Sequence, residues 1–322
     1  MKAKPLVSVV IPLFNGAATI KTALLSLIGQ KGVNYKLIVV NNGSTDRSLR
    51  IVHRVLGRYR LKADLLNFKH PLGLANAYNA GIKRALGEFV VTMHQDMRLK
   101  SFTELKKLVS PLILDKTVVV SCHSAEIPFK IWETYGFWQK VFFDRGAGVV
   151  LSGANGKFDG FRKEALMKVG LFDGQTFHSA GEDEDAMRKL KKIGRIVLSR
   201  AETEHLHGFE PSFGVGAIFR KHAQYAEAYG AVTQRYGLPG PGISRTIITF
   251  HREILLLSLT VPFVQYLGVI IIIFYAFFYT RHVYLSQWKN PRILLVPFVN
   301  FSLLFVSFGY SLKGFITGKQ QL

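Results

Sequence analysis

The sequence predicts an α/β domain with a mostly parallel sheet and helices on both faces, followed by a C-terminal pair of transmembrane helices. Three observations support this prediction. Apolar, β-branched runs alternate with amphipathic helical patterns through the first third of the chain, as in α/β sheets. Two long stretches near the C-terminus carry no charged residue. The 322 residues suffice for one large domain with an attachment.

The alternation of strands and helices begins with VSVVIP at 7–12, a run typical of a buried parallel strand. The elements predicted next are a helix at 17–30, a strand at 36–40, a helix at 46–59, a strand at 63–68, a helix at 73–86 and a strand at 88–93. Further along we predict helices at 102–114, 162–169 and 182–193 and strands at 117–122 and 195–199. Ligands bind beyond the carboxyl ends of such strands, so Asn41 and Asp96 are expected to converge.

Two uncharged segments, at about 254–279 and 293–312, have the length and composition of transmembrane helices. The sequence therefore predicts a catalytic domain at 1–208, a basic amphipathic linker at the membrane interface at 209–252, and a transmembrane hairpin at 253–322. The Pro-Gly-Pro-Gly run at 239–242 is a boundary signal inside that linker. Two buried core helices are the alternative, although helices that are apolar on every side need lipid or a very large protein around them.

The N-terminal segment has only a short apolar run, which is broken by Pro12, and no cleavage site, so we expect no signal peptide. We therefore expect a multi-pass protein of the cell membrane with its catalytic domain in the cytosol. The loop between the two segments carries Arg281, Lys289 and Arg292, which fits the positive-inside rule poorly. A shallow hairpin that does not fully cross the bilayer would remove this conflict.

The chain is strongly basic, with 42 Lys and Arg against 21 Asp and Glu and a net charge of +21. This balance favours anionic partners, and we expect membrane lipid headgroups to contact helix 46–62 and segment 220–252. No nucleic-acid recognition motif is present, so nucleic acid is not an expected partner. The lone cysteine excludes an internal disulfide, and the sequence lacks a P-loop and a dinucleotide-binding fingerprint.

Four polar motifs are candidates for a functional site: NNGSTD at 41–46, Asp96 after its strand, EDED at 182–185 and EHLHG at 204–208. Each has an ordinary alternative as a turn, a helix cap or a favourable helix N-terminus. A divalent cation that bridges a diphosphate needs only one or two carboxylates, which Asp96 can supply. Four successive acids exceed what capping needs, so one of them can act as a general base.

Taken in order, these motifs resemble those of the family 2 glycosyltransferases, which are inverting enzymes of the GT-A fold. VSVVIPLFN resembles the opening strand and turn of that family, and IVVNNGSTD resembles its nucleotide-binding turn. The segment ending in VVTMHQD resembles the stretch that runs into the family's D-x-D metal motif. AGEDEDAMRKLKKIGR resembles the catalytic block, and AETEHLHG resembles the closing H-x-x-G. The resemblance covers residues 6–208.

The resemblance implies a nucleotide-sugar donor and a Mg²⁺ or Mn²⁺ cofactor, and the predicted membrane attachment suggests that the acceptor is a hydroxyl of a lipid-linked or surface glycan. It assigns the catalytic base to Asp183 and the metal to Asp96 and His205. The implied donor-binding residues are Pro12, Asn15, Asn41, Gly43, Ser44, Asn79, His94 and Asp96. The implied acceptor residues are Glu182, Asp185, Arg188, Trp132 and Trp138, with aromatic core packing as the alternative for the two tryptophans.

Two positions depart from the family pattern, because Asn41 and His94 stand where the family carries aspartates. They leave open a non-catalytic pseudoenzyme of the same fold. A second alternative is an enzyme that transfers sugar directly to polyprenyl phosphate. Enzymes of that kind usually lack the E-D-x-D helix pattern seen at residues 182–185, which favours a sugar hydroxyl as the acceptor.

Overall fold

The computed structural model describes residues 7–238 and 243–322, so the Pro-Gly-Pro-Gly run lies outside the described residues. The chain divides into two compact units. The first comprises Met1–Ile131, Gly148–Gln175 and Glu182–Phe209, and the second comprises Trp132–Ala147, Thr176–Gly181 and Glu210–Leu322.

The bounds of the strands and helices agree closely with the alternation predicted for residues 7–93. The strands are β1 (Val7–Leu13), β2 (Tyr35–Asn42), β3 (Ala63–Phe68), β4 (Phe89–Met93), β5 (Met97–Leu99), β6 (Val118–Glu126), β7 (Val150–Gly153), β8 (Phe158–Arg162) and β9 (Arg195–His205). The helices are α1 (Ile20–Leu27), α2 (Ser48–Tyr59), α3 (Leu74–Arg84), α4 (Glu104–Leu114), α5 (Phe129–Trp132), α6 (Phe137–Phe143), α7 (Lys163–Lys168), α8 (Glu182–Leu190), α9 (Val215–Tyr236), α10 (Ile243–Thr249), α11 (His251–Ser258), α12 (Val264–Phe278), α13 (Arg281–Ser286) and α14 (Val296–Thr317).

Within the described residues, the strands of the first unit form one nine-stranded sheet in the order β3-β2-β1-β4-β8-β6-β9-β5, with β7 beside β6. β1 to β4 are mutually parallel where they pair. β8 reverses the direction, because it is antiparallel to both β4 and β6. The sheet is therefore mixed, and its parallel half places the ends of β1, β2 and β4 at one edge.

Helices cover both faces of this sheet, as predicted. Alternate residues of β1 point to opposite sides, so Val9 and Ile11 join one core and Val10 joins the other. The first core also takes buried side chains from α1, α2 and α4, and the second from α3, α7 and α8. The sheet is therefore buried on both faces, which explains the nearly continuous apolar run in β1.

The second unit is helical, and its two longest helices, α9 and α14, pack at very close range. A Cβ on Gly230 would overlap the carbonyl oxygen of Ser311, and a Cβ on Gly314 would overlap that of Glu227. The ammonium of Lys313 lies 2.6 Å from Glu227, whose side chain is fully buried. Half of the segment predicted as an interface linker thus forms α9, a packed helix of this unit.

One described helix, Pro291–Thr317, is long and apolar enough to cross a membrane, with a mean hydropathy of 2.0. The predicted span at 254–279 is not a single helix, which corrects the expectation of two full spans. Its first part ends at Ser258, and α12 has only 15 residues. Pro262 lacks an N–H and clashes with a preceding helical turn, and Phe263 adopts a left-handed backbone with φ 67°.

Candidate active site

The loops that follow β1 and β2 clasp each other at the carboxyl edge of the sheet. Leu13 pairs with Asn41 in the parallel register, so the two chains leave the sheet side by side. The side-chain oxygen of Asn15 accepts a hydrogen bond from the Thr45 amide at 2.8 Å. The hydroxyl of Ser44 accepts from the Asn15 amide at 3.2 Å and donates to the Leu13 carbonyl. Asn15 and Ser44 therefore fix the shape of this loop pair.

Gly43 is required at the tip of the second loop. Its φ is +75°, and a Cβ there would lie 2.7 Å from the His70 carbonyl carbon and 2.8 Å from the Pro71 nitrogen. Pro12 lies inside β1, buried and paired with Val40, just before the same edge. Both residues position the loops, and direct contact with a donor stays a prediction for them.

Two other predicted donor residues form hydrogen bonds within the protein. Asn41 donates to the Asn67 side chain at 2.6 Å and accepts from the Ser44 amide at 3.3 Å. Asn79 brackets the backbone of Phe172, donating to its carbonyl and accepting from its amide. The Asn79 side chain thus fixes a neighbouring loop, and its role in donor binding stays a prediction.

The His94-Gln95-Asp96 loop begins where β4 ends. Gln95 locks it to the β1 loop, because its amide both accepts from and donates to the backbone of Phe14 at 2.9 Å. The carbonyl of Asp96 accepts from the Leu206 amide at 2.7 Å. These bonds bring the end of β9, distant in sequence, against the carboxylate of Asp96.

Three histidines surround that carboxylate. Oδ2 of Asp96 lies 3.2 Å from Nε2 of His205 and 3.7 Å from Nδ1 of His207. Oδ1 of Asp96 lies 3.9 Å from Nδ1 of His94. The ligand atoms of His94, Asp96 and His205 are all within 4.8 Å of one another, a spacing that could hold a metal ion.

The donor set of this cluster fits a divalent cation. Oδ1 of Asp96 is buried and has no hydrogen-bond partner. Burial lowers the pKa of His94 to about 4, and burial followed by the charge of Lys157 holds the pKa of His205 well below its usual value. Both rings are therefore neutral at pH 7 and can offer a nitrogen lone pair, and an orphaned carboxylate oxygen completes the set.

Asp183 lies in the first turn of α8, where the backbone favours negative charge. Burial nevertheless raises its pKa, and the charges of Glu184 and Asp159 add to the effect. Burial and the neighbouring Asp183 also raise the pKa of Glu182, to about 8. Gly156 lies directly against Asp183, because a Cβ there would be 3.2 Å from the Cβ of Asp183.

Lys157 is a site residue that the sequence did not reveal. Its ammonium lies 3.5 Å from Nδ1 of His205. Burial lowers its pKa, while the charges of Asp96 and Asp183 act to raise it. Burial likewise raises the pKa of Tyr78, and the same two carboxylates contribute. His205 contacts Asp96 and Lys157. Gly156, the neighbour of Lys157 in the chain, lies against Asp183, so both carboxylates belong to one region of the first unit.

Asp159 and His123 form a second unpredicted pair, and both are fully buried. Oδ2 of Asp159 accepts from the amides of Asn155 and Gly156 at 3.0 and 2.7 Å. Its Oδ1 lies 3.3 Å from Nδ1 of His123. Asp159 therefore fixes the turn that precedes and includes Lys157. In the sequence, the small residues near this turn are the only sign that a turn is present.

The remaining acceptor predictions concern α8 and the aromatic segment. Asp185 is fully buried and lies 2.6 Å from the ammonium of Lys189. Arg188 donates to Glu184 at 2.8 Å. Contact of Asp185 and Arg188 with an acceptor stays a prediction.

The two tryptophans belong to the second unit. Trp132 is completely buried and donates its indole N–H to the Lys140 carbonyl at 3.0 Å. It has no face free for a sugar, so the packing alternative holds for this residue. Trp138 is half-buried with its ring edge-on to Phe137, at 4.9 Å between centroids, and its acceptor role stays a prediction.

Comparison with known proteins identifies the fold and the family. A family model described as "Glycosyl transferase family 2" matches residues 8–170. The uncharacterized glycosyltransferase YibD of Escherichia coli is 32% identical over 138 residues, which are 43% of this chain and 38% of that protein. The chain spans about a third of the length of the curated relatives it matches.

Solved structures share the architecture over most of the chain. A mannosyltransferase, PcManGT, from Pyrobaculum calidifontis in complex with GDP-Man and Mn²⁺ has a TM-score of 0.56 and 17% identity, covering 95% of this chain and 86% of its own. Glucosyl-3-phosphoglycerate synthase from Mycobacterium tuberculosis, with Mn²⁺ and UDP, has a TM-score of 0.51 and 20% identity, covering 75% and 83%. At these identities the similarity concerns the fold, and it confirms the predicted GT-A class.

Proposed function

The chain belongs to glycosyl transferase family 2, and from that premise we propose that it transfers a sugar from a nucleotide-sugar donor to a glycan hydroxyl. The observation that carries this proposal is the meeting of two carboxylate sites at one sheet edge. Asp96 has an orphaned oxygen and contacts His205, which lies 3.5 Å from the ammonium of Lys157. Gly156, next to Lys157 in the chain, lies against Asp183. One site suits a metal-bound diphosphate and the other suits a base.

The metal would be held by Asp96 and His205, with His94 as a third ligand or as a contact to the donor. We favour Mn²⁺ over Mg²⁺, because imidazole ligands suit Mn²⁺ better than a cation that prefers oxygen alone. Two structurally similar proteins are described with Mn²⁺, which supports this choice. When bound, the cation offsets negative charge on the nucleoside diphosphate leaving group.

Asp183 would take the proton from the acceptor hydroxyl, which then attacks the anomeric carbon and inverts it. The raised pKa of Asp183 makes it a stronger base than an exposed aspartate. Lys157 lies near both carboxylates and would stabilise their charge while the donor enters. Burial and the neighbouring Asp183 raise the pKa of Glu182 to about 8, so we assign the proton of this pair to Glu182 and the role of base to Asp183.

We further propose that the protein acts at the cytoplasmic face of the cell membrane on a lipid-linked glycan. The apolar helix Pro291–Thr317 supports attachment to the membrane. The acidic start of α8 favours a hydroxyl acceptor over direct transfer to polyprenyl phosphate, and the intact Asp96 and Asp183 argue against a pseudoenzyme.

A donor-binding screen tests the proposal. Detergent-purified protein is titrated by calorimetry with UDP-, GDP- and dTDP-sugars, with and without Mn²⁺ or Mg²⁺. We expect metal-dependent binding of one donor, which is lost in Asp96→Ala and kept in Asp115→Ala, a surface aspartate paired with Arg195. Failure of every donor to bind would favour the pseudoenzyme.

A further inference from the structure

Two arginines of the second unit share one tyrosine. Arg145 donates to the hydroxyl of Tyr279 at 3.2 Å, and Arg252 donates to the same oxygen at 2.6 Å. The two guanidinium carbons lie 4.8 and 5.1 Å from the centre of the Tyr279 ring. Two like charges are therefore held within reach of a single phosphate-sized anion.

The charge of Arg252 is buried without a direct acidic partner. Its side chain is 7% exposed, and its remaining bonds go to the Tyr275 hydroxyl, the Ser307 hydroxyl and Nδ1 of His222. These partners are all neutral. In the described part of the chain, no carboxylate lies within salt-bridge distance of Arg145 or Arg252. A buried cation of this kind costs free energy unless a counter-ion joins it.

The only acid beside Arg252 along the chain, Glu253, is engaged elsewhere, because its Oε1 accepts from the Ser311 hydroxyl at 2.6 Å. Glu253 does contribute to the electrostatic environment of Arg252, as one of several influences on its pKa. It forms no ion pair with Arg252, so the guanidinium pair keeps an excess of positive charge.

The lowered pKa values of two nearby histidines agree with this excess of positive charge. Burial, followed by the charge of Arg252, lowers the pKa of His222 to about 2 and that of His251 to about 4. The ring of His251 stacks on Tyr279 at 6.0 Å. Its Nε2 is buried and has no hydrogen-bond partner, so a polar atom in this cluster is left unsatisfied.

The cluster lies at one end of an apolar helix. Tyr275 and Tyr279 belong to the last turn of α12 and the residue after it, and Arg145 is exposed beside them. Tyrosine and arginine at the end of an apolar helix are typical of the headgroup layer of a membrane. A phosphate in that layer could contact the exposed Arg145 directly and would then lie near the buried charge of Arg252.

We propose that Arg145, Arg252 and Tyr279 form a binding site for the phosphate group of a membrane lipid. The forked donors of the exposed Arg145 match phosphate oxygens in geometry and charge, while Arg252, whose N–H groups already bond within the cluster, adds positive charge. This site is separate from the chemistry proposed for Asp96 and Asp183, and it does not require turnover. Free phosphate or pyrophosphate has the same chemistry, so the test must distinguish these sources.

Native mass spectrometry of the full chain in detergent provides the test. The probes are phosphatidylglycerol, phosphatidylcholine and inorganic pyrophosphate. We expect wild-type protein to retain phosphatidylglycerol about tenfold better than phosphatidylcholine, and Arg145→Gln to remove that preference. Arg281→Gln, which removes an exposed charge from the same unit, should keep it. Arg252→Lys keeps the charge but loses the forked bonds that hold Tyr279 beside Arg145, so it should bind more weakly than wild type.

The results distinguish a lipid phosphate from a soluble phosphate as the ligand. Retention that depends on Arg145 and resists excess pyrophosphate supports a lipid phosphate. Pyrophosphate binding that depends on Arg145 in the absence of lipid supports the anion site with a soluble ligand. If Arg145→Gln and Arg281→Gln retained lipid and pyrophosphate equally well, the proposal would be overturned, because any change in binding would then follow from the loss of one positive charge anywhere on the unit.

Discussion

The carboxylate of Asp96 lies 3.2 Å from Nε2 of His205, although the two residues are 109 positions apart in the sequence. The contact joins the loop after β4 to the end of β9. It leaves the second oxygen of Asp96 buried and without a partner. This unsatisfied oxygen, together with the neighbouring imidazoles, is the observation on which the proposed metal site rests.

Replacing His205 should weaken metal binding. We expect His205→Ala to lower Mn²⁺ affinity by at least about tenfold, because it removes one ligand and a contact that orients Asp96. Electron paramagnetic resonance of free Mn²⁺ during titration measures this affinity. His53→Ala, an exposed histidine on α2, is the matched control. Equal Mn²⁺ affinity in His205→Ala and His53→Ala would show that His205 is not a metal ligand.

The pH dependence of turnover should respond to Lys157. The base must be ionised, so the rate falls as pH drops through the pKa of Asp183, which burial has raised. Lys157→Gln removes a positive neighbour and should raise that pKa further, moving the acidic limb to higher pH by on the order of one unit.

The measurement for Lys157 is kcat against pH at saturating donor and metal. Lys168→Gln, which removes an exposed charge from α7, should leave the acidic limb of the pH–rate profile unchanged. A shift to lower pH in Lys157→Gln would contradict the sign of the proposed interaction.

A side chain at Gly156 should disturb the base. Ala at this position must accept φ +72° and a contact of 3.2 Å with Asp183. We expect Gly156→Ala to lower kcat by about tenfold to a hundredfold, because small displacements of catalytic groups are costly. Gly153→Ala shares the positive φ, at +125°, but meets no heavy atom within 4 Å. Steady-state kcat should therefore fall more in Gly156→Ala than in Gly153→Ala. An equal fall of kcat in both variants would indicate that backbone strain alone is responsible.

The close packing of α9 and α14 should depend on Gly314. We expect Gly314→Ala to destabilise the protein by about 1–3 kcal/mol, because its Cβ would overlap the Glu227 carbonyl. Gly309, on the same helix, has open space around its Cβ position, so Gly309→Ala should be neutral or slightly stabilising. Thermal unfolding in detergent compares them, and a loss in Gly309→Ala as large as in Gly314→Ala would refute the packing argument.

The sequence predicted the parallel half of the sheet well, because each strand there has its own hydrophobic period and its own turn signals. The 63–68 strand agrees with the structure to the residue. The polar residues after β2 and β4 lie at a shared edge of the sheet, as expected for parallel strands, and their role in a donor site stays a prediction.

The remaining features depend on tertiary contacts that no local pattern reports. Lys157 is one of many lysines in a basic chain, and only the fold places it near His205. The antiparallel insertion of β8 and the burial of Asp159 depend on strand pairing across the sheet. The interruption near Pro262 was visible as a proline, but composition alone made residues 254–279 resemble one continuous span.

The measurement that most directly tests the account compares sugar transfer and donor affinity in one preparation of Asp183→Asn. If Asp183 is the base, the transfer rate falls by about 10²–10⁴-fold while donor affinity stays within about threefold of wild type. An unchanged rate, or a loss of donor affinity that matches the loss of rate, would contradict the assignment of Asp183 as the catalytic base.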